Sequence, residues 1–227
     1  MKSLLKDKTF SINIQGCRTN QYEGEAIAAS LESTGAVHSD VSPDIIVVVS
    51  CTITAVADRK CRKLIRKLRR ENPHSLIVAC GCYAQRMSGP ERESLGVDII
   101  VGNRVKHRIA ELAADWFEKD EKCSSRSILQ DDIMKAPSWD ALYLDRPRLH
   151  TRAFLKVQDG CDYHCSYCTV PLAREKSRNP FISEITEEAE AIVMSGVKEI
   201  VLTGVNVGDF GRSTGETLEQ LLERLVK

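Results

Sequence analysis

Ile45-Ile46-Val47-Val48-Val49-Ser50-Cys51 is an unbroken β-branched run closed by two small residues. A strand wetted on one face alternates apolar and polar side chains. A run apolar at every position belongs to a strand covered on both faces, as in a parallel sheet flanked by helices. Downstream, Leu76 to Ala79 ends at Gly81-Cys82 and Asp98 to Val101 ends at Gly102; upstream, Thr9 to Ile14 places Phe10, Ile12 and Ile14 on one face before Gly16-Cys17. Helical patterns fill the intervals. The first has an N-cap at Asn20 with Glu23 three residues on, a stripe of Ala26, Ile27 and Leu31, and a stop at Gly35. The second begins near Thr54 and carries Ala57, Cys61, Leu64 and Leu68; a closing helix from Arg104 to Asp120 turns Ile109, Leu112, Ala113, Trp116 and Phe117 inward. Strand and helix alternating in this way predict an α/β fold with a parallel sheet and right-handed crossovers over residues 1–121.

This pattern sets three cysteines on one edge. Cys17, Cys51 and Cys82 each follow the carboxyl end of a strand, and in open parallel sheets the ligand crevice lies outside those ends. Three thiolates converging there form a candidate iron–sulfur site with one iron left open; the alternative is small residues packed at turns. Cys61 and Cys80 lie on apolar stripes and read as core, and Cys123 falls in a connector.

Lysine plus arginine and aspartate plus glutamate both number 32, so overall charge identifies no partner. Its distribution does. Arg59, Lys60, Arg62, Lys63, Arg66, Lys67, Arg69 and Arg70 crowd the second helix with no acidic residue among them. Like charges at helical spacing repel, so a single-sign face points to an anionic partner, RNA or DNA held through phosphates; a plain basic surface is the other reading. The amino terminus has no signal-peptide core and no run reaches membrane-spanning length, so the chain reads as cytoplasmic with no membrane partner, where nine cysteines indicate metal or redox chemistry.

Over 122–150 the periodicity fails, with Ala136-Pro137-Ser138 and Arg146-Pro147-Arg148 marking a connector on which Trp139 and Tyr143 dock. The 42% hydrophobic content is read as two modest cores, one on each side of it. Residues 151–227 resume the alternation: strand Ala153 to Val157, a helix from Ile182 to Ser195 stopped by Gly196, and strand Glu199 to Thr203. Two such units begin a β/α barrel without closing it, which predicts an incomplete domain in a chain cut from a longer one. Directly after the first of these strands stands Gly160-Cys161-Asp162-Tyr163-His164-Cys165-Ser166-Tyr167-Cys168. Three cysteines in one tight loop leave one iron of a cubane open to a small molecule. With His164 they could instead hold zinc, although zinc ligands usually come as two separated pairs.

The Cys-x3-Cys-x2-Cys spacing is the signature of radical S-adenosylmethionine enzymes, and the chain as a whole resembles the tRNA methylthiotransferase family among them. Gly16-Cys17-Arg18-Thr19-Asn20-Gln21-Tyr22-Glu23, Ser50-Cys51-Thr52-Ile53-Thr54, Ala57-Asp58-Arg59-Lys60, Gly81-Cys82-Tyr83-Ala84-Gln85-Arg86 and Ile200-Val201-Leu202-Thr203-Gly204-Val205 carry the likeness. The resemblance implies a flavodoxin- or Rossmann-like methylthiotransferase domain followed by the first units of a radical barrel. It implies two [4Fe–4S] clusters, an auxiliary one on Cys17, Cys51 and Cys82 and a radical one on Cys161, Cys165 and Cys168. S-adenosylmethionine would chelate the second through its methionine part and be cleaved to a 5′-deoxyadenosyl radical. Tyr167 would lie against its adenine and the Thr203-Gly204 turn near its methionine. The reaction implied exchanges C–H for S–CH3 at C2 of N6-threonylcarbamoyladenosine in the tRNA anticodon loop, with an electron donor as second partner and no DNA. Isopentenyladenosine is the alternative substrate and a ribosomal-protein aspartate the third. A zinc-stabilised RNA-binding module without catalysis is the alternative of another class, and a degenerate fragment keeping its ligands a further one. Val49 stands where the family commonly has Asn, and Glu175 follows Arg174 where Gly is usual. Family members continue beyond this length, so the chain is expected to be inactive alone.

Overall fold

The computed structural model describes residues 4–118, 127–129 and 139–226. Six parallel strands, β1 (Thr9–Ile14), β2 (Val37–His38), β3 (Ile45–Ser50), β4 (Leu76–Gly81), β5 (Ile99–Val101) and β6 (Ser127–Leu129), lie in the order β2-β1-β3-β4-β5-β6. The first five follow the flavodoxin-like order, whose ligand crevice opens between β1 and β3. Two strands escape the sequence pattern. β2 has two residues, both exposed, and β6 has three, too few for any period to show.

α1 (Arg18–Ser33) begins earlier than expected, with Cys17 rather than Asn20 at the N-cap position. Asn20 Nδ2 is taken by two strand ends instead, donating to the carbonyls of Gln15 at 2.7 Å and Ser50 at 3.1 Å. α2 (Ala55–Glu71) starts as predicted, Thr54 Oγ1 accepting from the Ala57 amide at 3.1 Å. Short α3 (Cys82–Arg86) and α4 (Gly89–Leu95) follow β4. The closing helix is a 3-10 turn, Lys106–Arg108, running into α5 (Ile109–Glu118); its expected end at Asp120 lies outside the described residues.

Alternate residues of the central strands feed two apolar layers. Ile46, Val48, Ile77, Ala79 and Ile100 meet Cys61 and Ile65 of α2, while Ile45, Val47, Val49, Val78 and Val101 meet Ala26, Ile27 and Leu31 of α1. Cys61 and Cys80 are fully buried core residues as read, and burial pushes the Cys61 thiol up to about 12. The expectation of one core per region is corrected. The α1 layer runs without a break into β7 (Ala153–Lys156) and α7 (Ile182–Met194) through Leu155, Val157, Ile185 and Ile192. α1 is thus covered on two sides, and its polar residues Asn20, Glu23 and Glu25 are buried with its apolar ones.

The second region adds α6 (Val170–Arg174), β8 (Ile200–Thr203) and α8 (Leu218–Leu225). β7 and β8 pair in parallel, Ala153 opposite Ile200 and Lys156 opposite Thr203. Of the expected connector, 139–150 and β6 are described. Leu142 and Leu144 are buried and the Trp139 ring lies 4.7 Å from Lys156 Nζ, whereas Tyr143 stays 47% exposed. Cys123 lies outside the described residues. Among the described residues no helix is long and apolar enough to cross a membrane.

Glu188 of α7 ties these parts together, its Oε1 accepting from the Tyr22 hydroxyl and the Leu144 amide, each at 2.8 Å. Burial pushes its carboxyl up from 4.5 to about 7, against those hydrogen bonds and Lys156. A carboxyl raised on folding contributes stability that is fully present below its unfolded pKa and lost as pH rises through the folded one. Glu188→Gln keeps the shape and the acceptor oxygen. We expect its denaturant midpoint to vary less than the parent's between pH 4.5 and 7, with the variant more stable at pH 8 by on the order of 2–3 kcal/mol; equal midpoints at pH 8 would refute this.

Candidate metal centre

β1, β3 and β4 are neighbours in register, with Ile14 opposite Val49 and Ser50 opposite Gly81, so the turns that follow them open side by side. Cys17 and Cys51 stand in those turns, and Cys82 opens α3 directly after β4. Gly81 makes the approach possible: its φ is +89°, and a Cβ there would lie 2.5 Å from the Ser50 carbonyl oxygen. Ser50 Oγ in turn donates to the Cys80 carbonyl and accepts from the Ala84 amide at 3.1 Å, fixing both cysteine turns to one buried hydroxyl. All three cysteines line one cavity of about 170 Å³. Cys17 is exposed at its mouth; Cys51 and Cys82 are buried.

The second region forms the opposite wall, through Thr169, Val170, Ala173, Arg174, Gly204 and Val205. α6 is pinned there by three contacts with the first region: Thr169 Oγ1 donates to the Thr52 carbonyl at 3.3 Å, Asn103 Nδ2 to the Ala173 carbonyl at 2.6 Å, and Arg174 Nε to Cys82 Sγ at 3.0 Å. Burial pushes the Cys82 thiol up, and Arg174 opposes it.

Arg174 belongs to a buried ionic cluster that no sequence pattern announced. Its Nη1 donates to Glu23 Oε1 at 2.9 Å and Asp159 Oδ1 at 3.0 Å, its Nη2 to Glu23 Oε2 at 3.0 Å and Asn20 Oδ1 at 2.6 Å. Lys106 and Lys156 each reach Glu23 Oε1 at 3.2 Å, and Arg178 reaches Asp159 Oδ2 at 3.2 Å. Burial alone would raise the Glu23 carboxyl, but Arg174, then Lys106 and Lys156, hold it well below the usual carboxylate range. Asp159 is held low in the same way by Arg174, Lys156 and Arg178. The available signal was Lys156, a charge inside an apolar strand, and Glu23, one helical turn from Ala26 and Ile27 on a helix covered on both sides.

The second cysteine set follows Asp159 directly. Gly160 takes φ +72°, and a Cβ there would fall 2.0 Å from the Lys176 carbonyl oxygen, so the loop turns where only glycine fits. The Cys161 amide donates to the Glu175 carbonyl at 2.8 Å, and the Cys168 amide to that of Cys165 at 3.0 Å. Cys165 is exposed, Cys161 and Cys168 half-buried, and Tyr167 is 87% exposed. Thr203 is buried; Gly204 lines the cavity of the first set, with Gln158 Oε1 accepting from the Val205 and Asn206 amides at 3.0 and 2.8 Å. Glu175 holds φ +68° and ψ −158°, a conformation glycine adopts freely and other residues at a cost of about 1–3 kcal/mol. The backbone path that glycine would favour at this position is therefore kept with glutamate in place.

Among the described residues no three Cys, His, Asp or Glu side chains are drawn in to the spacing of a single bound ion. The donor sets fit a larger group. Soft thiols are the ligands of iron–sulfur clusters; the first set has a cavity open at Cys17 and a guanidinium beside one sulfur, the second an accessible three-thiol loop.

Residues 9–102 match the family described as uncharacterized protein family UPF0004, and residues 155–225 match the radical SAM superfamily. The threonylcarbamoyladenosine tRNA methylthiotransferase of Bacillus subtilis is 34% identical over 205 residues, 89% of this chain and 45% of that protein. Its namesake from Thermotoga maritima is 35% identical over 225 residues, 97% of this chain and 49% of that one. The tRNA-2-methylthio-N(6)-dimethylallyladenosine synthase of Zymomonas mobilis is 36% identical over 231 residues, with 97% and 49% covered. The chain spans about half the length of the curated relatives it matches. The radical S-adenosylmethionine methyltransferase TsrM of Kitasatospora setae, solved with cobalamin and a [4Fe–4S] cluster, superposes at a TM-score of 0.59 and 14% identity, covering 96% of this chain and 52% of that one; this likeness concerns the fold alone.

Proposed function

We propose, from the match of residues 9–102 to the UPF0004 family and of residues 155–225 to the radical SAM superfamily, that this chain is the cluster-bearing part of a cytoplasmic tRNA methylthiotransferase. The observation that carries the reading is the single cavity walled by Cys17, Cys51 and Cys82 on one side and by α6 and Gly204-Val205 on the other. A thiol site at that seam lies against α6, the helix that directly follows the segment bearing Cys161, Cys165 and Cys168. When bound, the two [4Fe–4S] clusters with S-adenosylmethionine supply the radical and sulfur chemistry.

The chain's own residues do the rest. Cys17, Cys51 and Cys82 would hold one cluster and Cys161, Cys165 and Cys168 the other, each leaving an iron open. Gln158, just past β7, accepts from the Val205 and Asn206 amides and so holds the turn that follows Thr203-Gly204, where the methionine part of the cofactor would rest. Tyr167 is free to settle on adenine. The names of the Bacillus and Thermotoga relatives favour N6-threonylcarbamoyladenosine beside the anticodon as substrate, and the Zymomonas relative keeps the isopentenyl-type adenosine as the second reading. A reductant is the remaining partner.

The test is anaerobic reconstitution followed by incubation with S-adenosylmethionine, dithionite, sulfide and tRNA bearing either modified adenosine, with nucleosides read by mass spectrometry. Methylthio product on the threonylcarbamoyl base supports the proposal, and product on the isopentenyl base replaces it with the second reading. Loaded protein that cleaves S-adenosylmethionine without transfer supports the cluster-bearing role and leaves the choice of base to the full-length protein. Zinc in place of iron sinks it.

Arg59, Arg62, Lys63, Arg66, Lys67 and Arg70 line one open groove along α2, with Lys63, Arg66 and Arg70 exposed. As phosphate contacts they supply affinity that falls with salt. The Lys63→Ala/Arg66→Ala/Arg70→Ala variant is expected to bind tRNA at least about ten-fold more weakly, with the slope of log K against log salt reduced by about 2–3. An unchanged slope by filter binding would assign α2 to plain surface.

A further inference from the structure

We infer that Arg174 is a positioning residue for the first cysteine site, setting the electron affinity of the cluster there through its hydrogen bond to Cys82 and holding that site in fixed register with the second. This rests on the proposed reading that Cys17, Cys51 and Cys82 hold a cluster.

Four observations carry the inference. Arg174 Nε donates to Cys82 Sγ at 3.0 Å, and the side chain is 2% exposed, so water does not screen the contact. The guanidinium cannot swing away, because Glu23 grips both Nη atoms while Asp159 and Asn20 hold one each. Asp159 Oδ1 also accepts from the Gly160 amide at 2.8 Å, one residue before Cys161. The next residue along, Glu175, accepts through its carbonyl from the Cys161 amide at 2.8 Å. One short segment therefore touches a sulfur of the first set with a side chain and the backbone of the second with the adjoining carbonyl.

The physical consequence follows from charge. Reduction adds an electron to a cluster whose thiolate ligands already carry negative charge, and an N–H donor on a ligand sulfur stabilises the reduced form more than the oxidised one. Burial strengthens that preference because no solvent dipoles compete. Arg174 thus raises the reduction potential of the first cluster and has no sulfur of the second within its reach among the described contacts. The remainder of the ionic cluster orients it: a guanidinium with Glu23 and Asp159 on one edge has its Nε edge left to face Cys82.

Potentials are separable in the two triple-cysteine variants. In Cys161→Ala/Cys165→Ala/Cys168→Ala protein, only the first cluster is loaded, and adding Arg174→Lys keeps a cation against Glu23 and Asp159 while removing the Nε donor. An EPR-monitored redox titration is expected to give a more negative midpoint for that cluster. In Cys17→Ala/Cys51→Ala/Cys82→Ala protein, the same substitution is expected to leave the second cluster's midpoint unchanged. As a measurement needing no substitution at Arg174, protein labelled with 15N-arginine and carrying only the first cluster, reduced, is expected to show a 15N coupling by pulsed EPR. A loaded first cluster with no 15N coupling overturns the inference and leaves the proposed function standing, as does an unshifted midpoint in a loaded lysine variant. Absence of any cluster on Cys17, Cys51 and Cys82 in the parent overturns both. If the lysine variant does not load, the 15N coupling in the parent decides alone.

Discussion

Replacing Cys17, Cys51 and Cys82 together with alanine is expected to remove about four of about eight irons from the reconstituted chain, and replacing Cys161, Cys165 and Cys168 to remove the other four. The two losses should be independent. Each set occupies its own turns: the first the ends of β1, β3 and β4, the second a loop held by Gly160 and the Glu175 carbonyl. Neither set supplies a thiol to the other's loop. The substitutions are also tolerable for the fold, since Cys17 and Cys165 are exposed and Cys161 and Cys168 half-buried. Cys51 and Cys82 line a cavity, so their truncation enlarges an opening already present and opens no void in packed core. Circular dichroism on the apo variants checks that point, and iron, acid-labile sulfide and zinc assays check the rest. Iron unchanged in the first variant would make Cys17, Cys51 and Cys82 packing residues and confine the chemistry to the second loop. Zinc bound in place of iron would return the chain to a structural role for its cysteines.

That experiment addresses what was most legible in the sequence. The run Ile45 to Val49 was apolar at every position because both faces of β3 are covered, and from that one fact the parallel sheet, its strand ends and the row of three cysteines follow. Glycine was legible as well: Gly81 and Gly160 mark positions where a side chain would strike backbone. Three features were not legible. β2 and β6 are too short to show a period, and the start of α1 was misplaced because Asn20 resembles an N-cap while its amide serves the ends of β1 and β3. The third is the larger. α1 reads as a helix with one apolar stripe of Ala26, Ile27 and Leu31, yet Asn20, Glu23 and Glu25 off that stripe are buried too. Tyr22, Glu23 and Glu25 acquire their partners from residues far along the chain, Lys106, Lys156, Arg174 and Glu188 among them. Local pattern records which face is polar, and only tertiary structure says whether water or a salt bridge satisfies it.

Glu23→Ala is expected to destabilise the chain by about 3–5 kcal/mol, the largest effect of any single substitution outside the cysteines. Glu23 is fully buried and is the common counter-ion of Lys106, Lys156 and Arg174. Its removal leaves Lys106, Lys156, Arg174 and Arg178 in one dry volume with Asp159 and Asp140 alone to answer them, a charge imbalance that neither water nor rotation relieves. Replacing the whole cluster by apolar residues need not be costly; breaking it by one member is, because the partners stay behind desolvated. The pH dependence separates this mechanism from lost packing. Glu23 and Asp159 have folded pKa values well below their unfolded ones, so their contribution is present above the unfolded values, about 4, and is lost as pH falls toward the folded ones. Glu188 acts in the opposite sense between 4.5 and about 7. The parent should therefore be most stable near pH 4.5–5, falling on either side, and Glu23→Ala should flatten the acid limb while leaving the neutral limb in place. Urea midpoints across pH 2.5–8 measure both. A variant that loses stability equally at every pH would show that Glu23 acts by filling space, and an acid limb as steep as the parent's would assign acid unfolding to other carboxylates.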